Sequence, residues 1–141
     1  MKPLPSGTVT LVFADMEGST RLLEQLGERY QALLDTYRSI LRRTFEGAGG
    51  REVDLQGDQT FVVFPRARDA VMAAVAAQRA LADEPWADAV PVRGRMGLHT
   101  GEPVATPSGY VGMDVHTAAR IGAVAWGRAD PGLADHTRPG R

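Results

Sequence analysis

The sequence predicts one α+β domain built around an antiparallel sheet. Three observations carry that prediction. Apolar, β-rich runs near 8–16, 59–64 and 92–100 read as strands. Segments of helical period lie between them. A Gly57-Asp58 pair between two strand-like runs is a tight-hairpin signal. With 141 residues, 43% of them hydrophobic and 23% charged, the chain can form one domain with a modest core.

The elements follow in order. Residues 8–16 read as a buried strand. Ser19 and Thr20 are expected to cap the next helix, which places Leu22, Leu23 and Leu26 on one face. Gly27 should end or bend it. A longer helix follows, with Tyr30, Leu33, Leu34, Tyr37, Ile40, Leu41 and Phe45 at helical spacing, ending near Gly47–Gly50. Strands near 52–56 and 59–64 flank the hairpin turn. Pro65 opens an alanine-rich helix over about 67–82, with Val71, Val75 and Leu81 expected to face the core. A loop over 83–91 contains Trp86, read as its anchor. Residues 92–100 alternate as a strand, 106–109 as a turn, and Asp114 can cap a last helix over about 115–125.

This order is the split βαβ, ferredoxin-like arrangement, with the third strand antiparallel beside the first. It brings the end of one strand to the start of the other. Asp15 and Asp58 occupy those two places. Paired carboxylates suit a hard divalent cation, which commonly keeps substrate phosphates as further ligands. From Gly127 the hydrophobic period stops. The expectation is a domain over 1–127 and a disordered tail over 128–141.

Composition excludes several classes. The net charge is −1, so no broad field favours nucleic acid or membrane binding. Lys2 is the only lysine, and no P-loop lysine is present. Absence of cysteine removes disulfides, thiolate zinc sites and cysteine nucleophiles, and fits a reducing cytoplasm, the expected compartment. No signal-peptide core and no membrane-length apolar run is found.

Four segments then carry a resemblance: VTLVFADMEGSTRL, GGREVDLQGDQTFVVFP, VRGRMGLHTGEP and GYVGMDVHTAARI. In this order and spacing, spanning 8–126, the chain resembles the catalytic domain of class III nucleotidyl (adenylate/guanylate) cyclases, of the bacterial type. The resemblance implies conversion of ATP or GTP to a 3′,5′-cyclic nucleotide plus pyrophosphate, an intracellular signal. It implies two divalent ions, Mg2+ or Mn2+, and a homodimer or cyclase-domain partner that completes the site. Asp15 and Asp58 match the metal aspartates. The backbone of Met16, Glu17, Gly18 and Ser19 would lie near the phosphates, at a helix N-terminus. Arg120 matches the arginine that stabilises transition-state charge.

The resemblance also has departures. Asp54 stands where the family has a purine-selecting lysine, and an ionised carboxylate only accepts hydrogen bonds. Gly109 falls near the other base-selecting position and has no side chain. His116 replaces the ribose-positioning asparagine. The family's further strands, with a phosphate-contacting lysine, are replaced by the tail, so the expectation is a C-terminally truncated cyclase domain. Two functions therefore stand: an active cyclase, or a degenerate nucleotide-binding or dimerising regulatory module. Whether the chain is an enzyme is left open at this point.

Overall fold

The computed structural model describes residues 4–124. The predicted tail and domain end lie outside these residues, as do Trp126 and Gly127. The element order is β1 (Val9–Met16), α1 (Ser19–Leu26), α2 (Tyr30–Gly47), β2 (Arg51–Gln56), β3 (Gln59–Phe64), α3 (Ala67–Asp83), β4 (Gly94–Gly101), β5 (Val104–Thr106), β6 (Gly109–Val111) and α4 (Met113–Val124).

The main sheet runs β2-β3-β1-β4. Every neighbouring pair in it is antiparallel. This is the expected ferredoxin-like order, with β3 beside β1. β1 is central because nearly all of it is apolar, as a strand covered on both faces requires. Its alternate residues divide between two cores. Val12, Ala14 and Met16 join α2 and α3 residues including Tyr37, Leu41, Phe45, Ala73 and Leu81. Val9 and Leu11 join Phe61, Val63, Tyr110 and Ala118, so α4 and β6 cover the opposite face. Phe13 stacks on Phe61 with ring centroids 4.3 Å apart.

Several local expectations change. Ser19 and Thr20 do not cap α1; the cap position is Gly18, in the left-handed region at φ 68°. No side chain caps that end, because a left-handed glycine turns the chain directly from strand to helix. Leu22 and Leu26 are buried, but Leu23 is half exposed. Val71 and Val75 point outward, 53% and 45% exposed. The inward face of α3 is Ala70, Ala73, Ala77 and Leu81. Three of the four are alanines, and small side chains let α3 lie against α2 and the sheet. β4 starts at Gly94 rather than Val92, while α3 starts at Ala67 as expected. The residues flanking the expected 106–109 turn form a second small sheet, β5 with β6.

Trp86 does anchor its loop: its indole N–H donates to the Leu81 carbonyl at 3.0 Å. Gly27 ends α1 with φ 58° and begins a short 3₁₀ turn into α2.

Candidate active site

Asp15 and Asp58 reach the same end of the sheet by different routes. Asp15 lies near the end of β1. Asp58 is the second residue of the β2–β3 turn, following Gly57 at φ 58°. Glycine at the first central position suits a type II′ hairpin, whose twist matches the strands. The pairing of β1 with β3 stops at Ala14↔Thr60. Beyond it the Met16 N–H has no strand partner on that side, and it donates instead to Asp58 Oδ2 at 2.8 Å. One carboxylate oxygen thus replaces a missing rung and fixes the turn against β1.

Asp15 sits opposite Arg95 in the β1–β4 register. Arg95 grips it with two parallel hydrogen bonds: Nε to Oδ1 at 2.8 Å and Nη2 to Oδ2 at 2.9 Å. Burial raises the Asp15 carboxyl above the ordinary carboxylate range; the Arg95 contacts oppose this, and the nearby Asp58 charge adds to it. The same bridge raises Arg95, mainly through its hydrogen bond to Asp15. Burial outweighs the bridge at Asp15 and not at Arg95, because Asp15 is the more enclosed, with 18% side-chain exposure against 33% for Arg95.

Two tyrosines of α2 stand under this end. Tyr37 is fully buried, and its hydroxyl has no hydrogen-bond partner. Burial, followed by the charges of Asp15 and Asp58, raises its pKa well above the usual value. Tyr30 is likewise raised, by burial and then by Asp58, and its hydroxyl hydrogen-bonds Ser19. Arg38 of α2 donates to the Gly57 carbonyl through Nε at 2.9 Å, bracing the hairpin from below.

The turn between β1 and α1 contains Met16, Glu17, Gly18 and Ser19. The Met16 side chain is buried and its N–H belongs to Asp58. The Glu17 N–H donates to the Arg93 carbonyl at 2.8 Å. A cleft of about 250 Å³ opens beside this turn, lined by Glu17, Gly18, Arg21, Arg93 and neighbouring residues.

Asp54 is exposed and accepts hydrogen bonds from the Leu55 N–H and the Gln56 side chain. It follows an irregularity in the β2–β3 register between Glu52 and Asp54. Gly109 is buried at φ 145°, and a Cβ there would lie 3.6 Å from Val53 Cγ1. A side chain at Gly109 would thus meet Val53, the neighbour of Asp54 in β2. His116 and Arg120 are both exposed on α4. Neither is among the charges acting on Asp15.

Sequence reasoning missed Arg95 and the two tyrosines. Tyr30 and Tyr37 carried only a helical period, which reads as core. Arg95 was visible as a charge inside a strand, but only the register shows which carboxylate it faces.

Among the described residues no three His, Cys, Asp or Glu side chains cluster to hold a metal. The donor set is two carboxylates, which suits Mg2+-like ions that take one or two carboxylates plus substrate phosphates. Each oxygen of Asp15 retains a lone pair beside its Arg95 hydrogen bond, and Asp58 Oδ1 lies outside the Met16 contact. The residues fit a cation that arrives with a nucleotide rather than an all-protein cage.

The fold is that of nucleotidyl cyclase catalytic domains. An adenylate cyclase from Trypanosoma brucei, solved in its monomeric state, superposes with a TM-score of 0.81 at 22% identity, over 89% of this chain and 74% of that one. An adenylate/guanylate cyclase/hydrolase from Silicibacter pomeroyi gives 0.70 at 27% identity, over 88% and 74%. In sequence, an adenylate cyclase of Podospora anserina is 31% identical over an alignment of 150 positions that covers 89% of this chain and 7% of the fungal protein. No family model matches the chain. By fold and sequence together, the chain is similar to adenylate/guanylate cyclase catalytic domains.

Proposed function

We propose that this domain binds a nucleoside triphosphate with divalent cations at Asp15 and Asp58 and, as a dimer, converts it to a 3′,5′-cyclic nucleotide and pyrophosphate. The observation that carries this reading is the meeting of the two carboxylates, with Asp58 tied to β1 through the Met16 N–H. When bound, the cations would acidify the attacking 3′-hydroxyl and offset charge on the phosphates. The chain's own groups do the holding. Asp15 and Asp58 supply hard oxygen ligands. Gly18 and Ser19, at the start of α1, offer backbone amides where a helix dipole favours phosphate. The Met16 and Glu17 amides hold the turn itself in shape. As the 3′-oxygen bonds to the α-phosphorus, the bond to pyrophosphate breaks and the hydroxyl proton leaves to solvent.

Arg120 and His116 would act on charge and ribose from a second copy. This is supported by their exposed place on α4, away from the charges that act on Asp15. A complementation assay tests the arrangement. Asp58→Asn and Arg120→Ala should each reduce cyclic product at least about a hundredfold with ATP or GTP and Mn2+. Mixing the two should restore measurable turnover, because one composite site per mixed dimer is intact. No product from wild type under any nucleotide and metal combination would refute turnover.

A second reading, a nucleotide-binding or dimerising module without turnover, is favoured by Asp54. Its carboxylate is committed to its own strand, and Gly109 adds no donor. Nucleotide binding by calorimetry without product would select it.

A further inference from the structure

We propose that Arg95 is a positioning residue that occupies the Asp15 carboxylate as a resident cation and keeps divalent-metal affinity low until nucleotide arrives. This deepens the metal reading of Asp15 and Asp58 and rests on it. Arg95 and Asp15 face each other across β1 and β4, so the contact is set by the central sheet register, not by a loop. Both guanidinium hydrogen bonds are short, and they engage both carboxylate oxygens. Such forked pairs are among the strongest charge-assisted contacts.

The acidic surroundings give the guanidinium a reason to be there. Asp58 acts on Asp15 as a like charge, and Arg95 is the cation that counters it. Glu17 and Asp58 also act on Arg95. A partly buried carboxylate that feels a second carboxylate is stabilised by a positive partner. Arg95 supplies one at the place where a metal would otherwise do so. A divalent ion entering alone must therefore share Asp15 with a fixed positive charge. At these separations one charge changes affinity substantially even with partial solvent screening. A triphosphate brings enough negative charge to offset that repulsion, so metal and nucleotide load together.

The test is Mn2+ binding to the nucleotide-free protein, followed through the electron-paramagnetic signal of free Mn2+. Arg95→Gln removes the charge and should bind Mn2+ roughly tenfold more tightly than wild type. Arg95→Met, which keeps an apolar stem, should show the same gain and serves if the Gln variant fails to fold. Arg95→Lys keeps the charge without the fork and should stay within about twofold of wild type. Adding Asp58→Asn to Arg95→Gln should abolish the gain. Unchanged or weaker Mn2+ binding in folded neutral variants would overturn the proposal, as would an equal gain in the Lys variant. If no variant binds Mn2+ even with ATP or GTP present, the metal reading itself fails and the proposal with it. If wild type binds Mn2+ with nucleotide while the neutral variants gain nothing, the role of Arg95 alone fails.

Discussion

Tyr37 shows how one side chain records what surrounds a site. Its hydroxyl is enclosed by protein without a partner, a state that costs about 1–3 kcal/mol. Tyr37→Phe should therefore raise the folding stability by roughly 1 kcal/mol, read from denaturant midpoints. A loss of that size instead would mean that the hydroxyl is held by a partner in solution. Asp15 makes a second prediction at this scale. Its carboxyl is raised in the folded state, so between the ordinary carboxylate range and that raised value the folded chain holds a proton the unfolded chain has lost. Stability from this group is present below that window and is lost as pH rises through it. Asp15→Asn cannot titrate, so its melting temperature relative to wild type should climb from about pH 3 to 7. A flat difference would contradict the assigned direction.

Elements were legible to different degrees. The hairpin signal at Gly57-Asp58 was explicit in the sequence because few residue pairs make so tight a turn, and Gln56↔Gln59 closes it as expected. The helix faces were less legible. Val71 and Val75 looked like core by hydrophobicity, yet α3 turns Ala70, Ala73, Ala77 and Leu81 inward and leaves the valines exposed. Val75→Gln should accordingly change stability by no more than about 0.5 kcal/mol. The β2 entrance behaves oppositely. A Cβ on Gly50 would collide with the Phe64 ring and lie 2.9 Å from the Phe45 carbonyl oxygen. Gly50→Ala should cost about 1–3 kcal/mol by overpacking, measured by chemical denaturation. A neutral result would show that Phe64 can move aside, although it stands edge-on to Phe45 at 6.0 Å.

At the scale of the molecule, β1 and β3 join two cores through their opposite faces. Phe45 belongs to the core under α2 and α3, and Phe61 to the one under α4. Because both cores share these strands, damage to either should lower one common transition. Phe45→Ala and Phe61→Ala should each cost about 3–5 kcal/mol, with fluorescence and circular dichroism midpoints coinciding in each. Separate midpoints would show that the two faces unfold independently. The sheet also accounts for the location of the candidate site. It gathers Asp15, Arg95 and the Asp58 turn at one end, while α4 carries His116 and Arg120 on an exposed surface. Among the described residues no helix is long and apolar enough to cross a membrane.

The sequence by itself determined the main-sheet strands and the helices, the placing of β3 beside β1, and the two aspartates that meet, but not the small β5–β6 sheet. These follow from local period, turn chemistry and the few topologies open to that order. Tertiary structure alone decided which partners those aspartates take. The β1–β4 register sets Arg95 against Asp15, and the end of β1–β3 pairing leaves the Met16 N–H for Asp58. It also decided that α3 shows its valines to solvent. Register and interhelical gaps depend on contacts between residues far apart in the chain, and no local pattern encodes them.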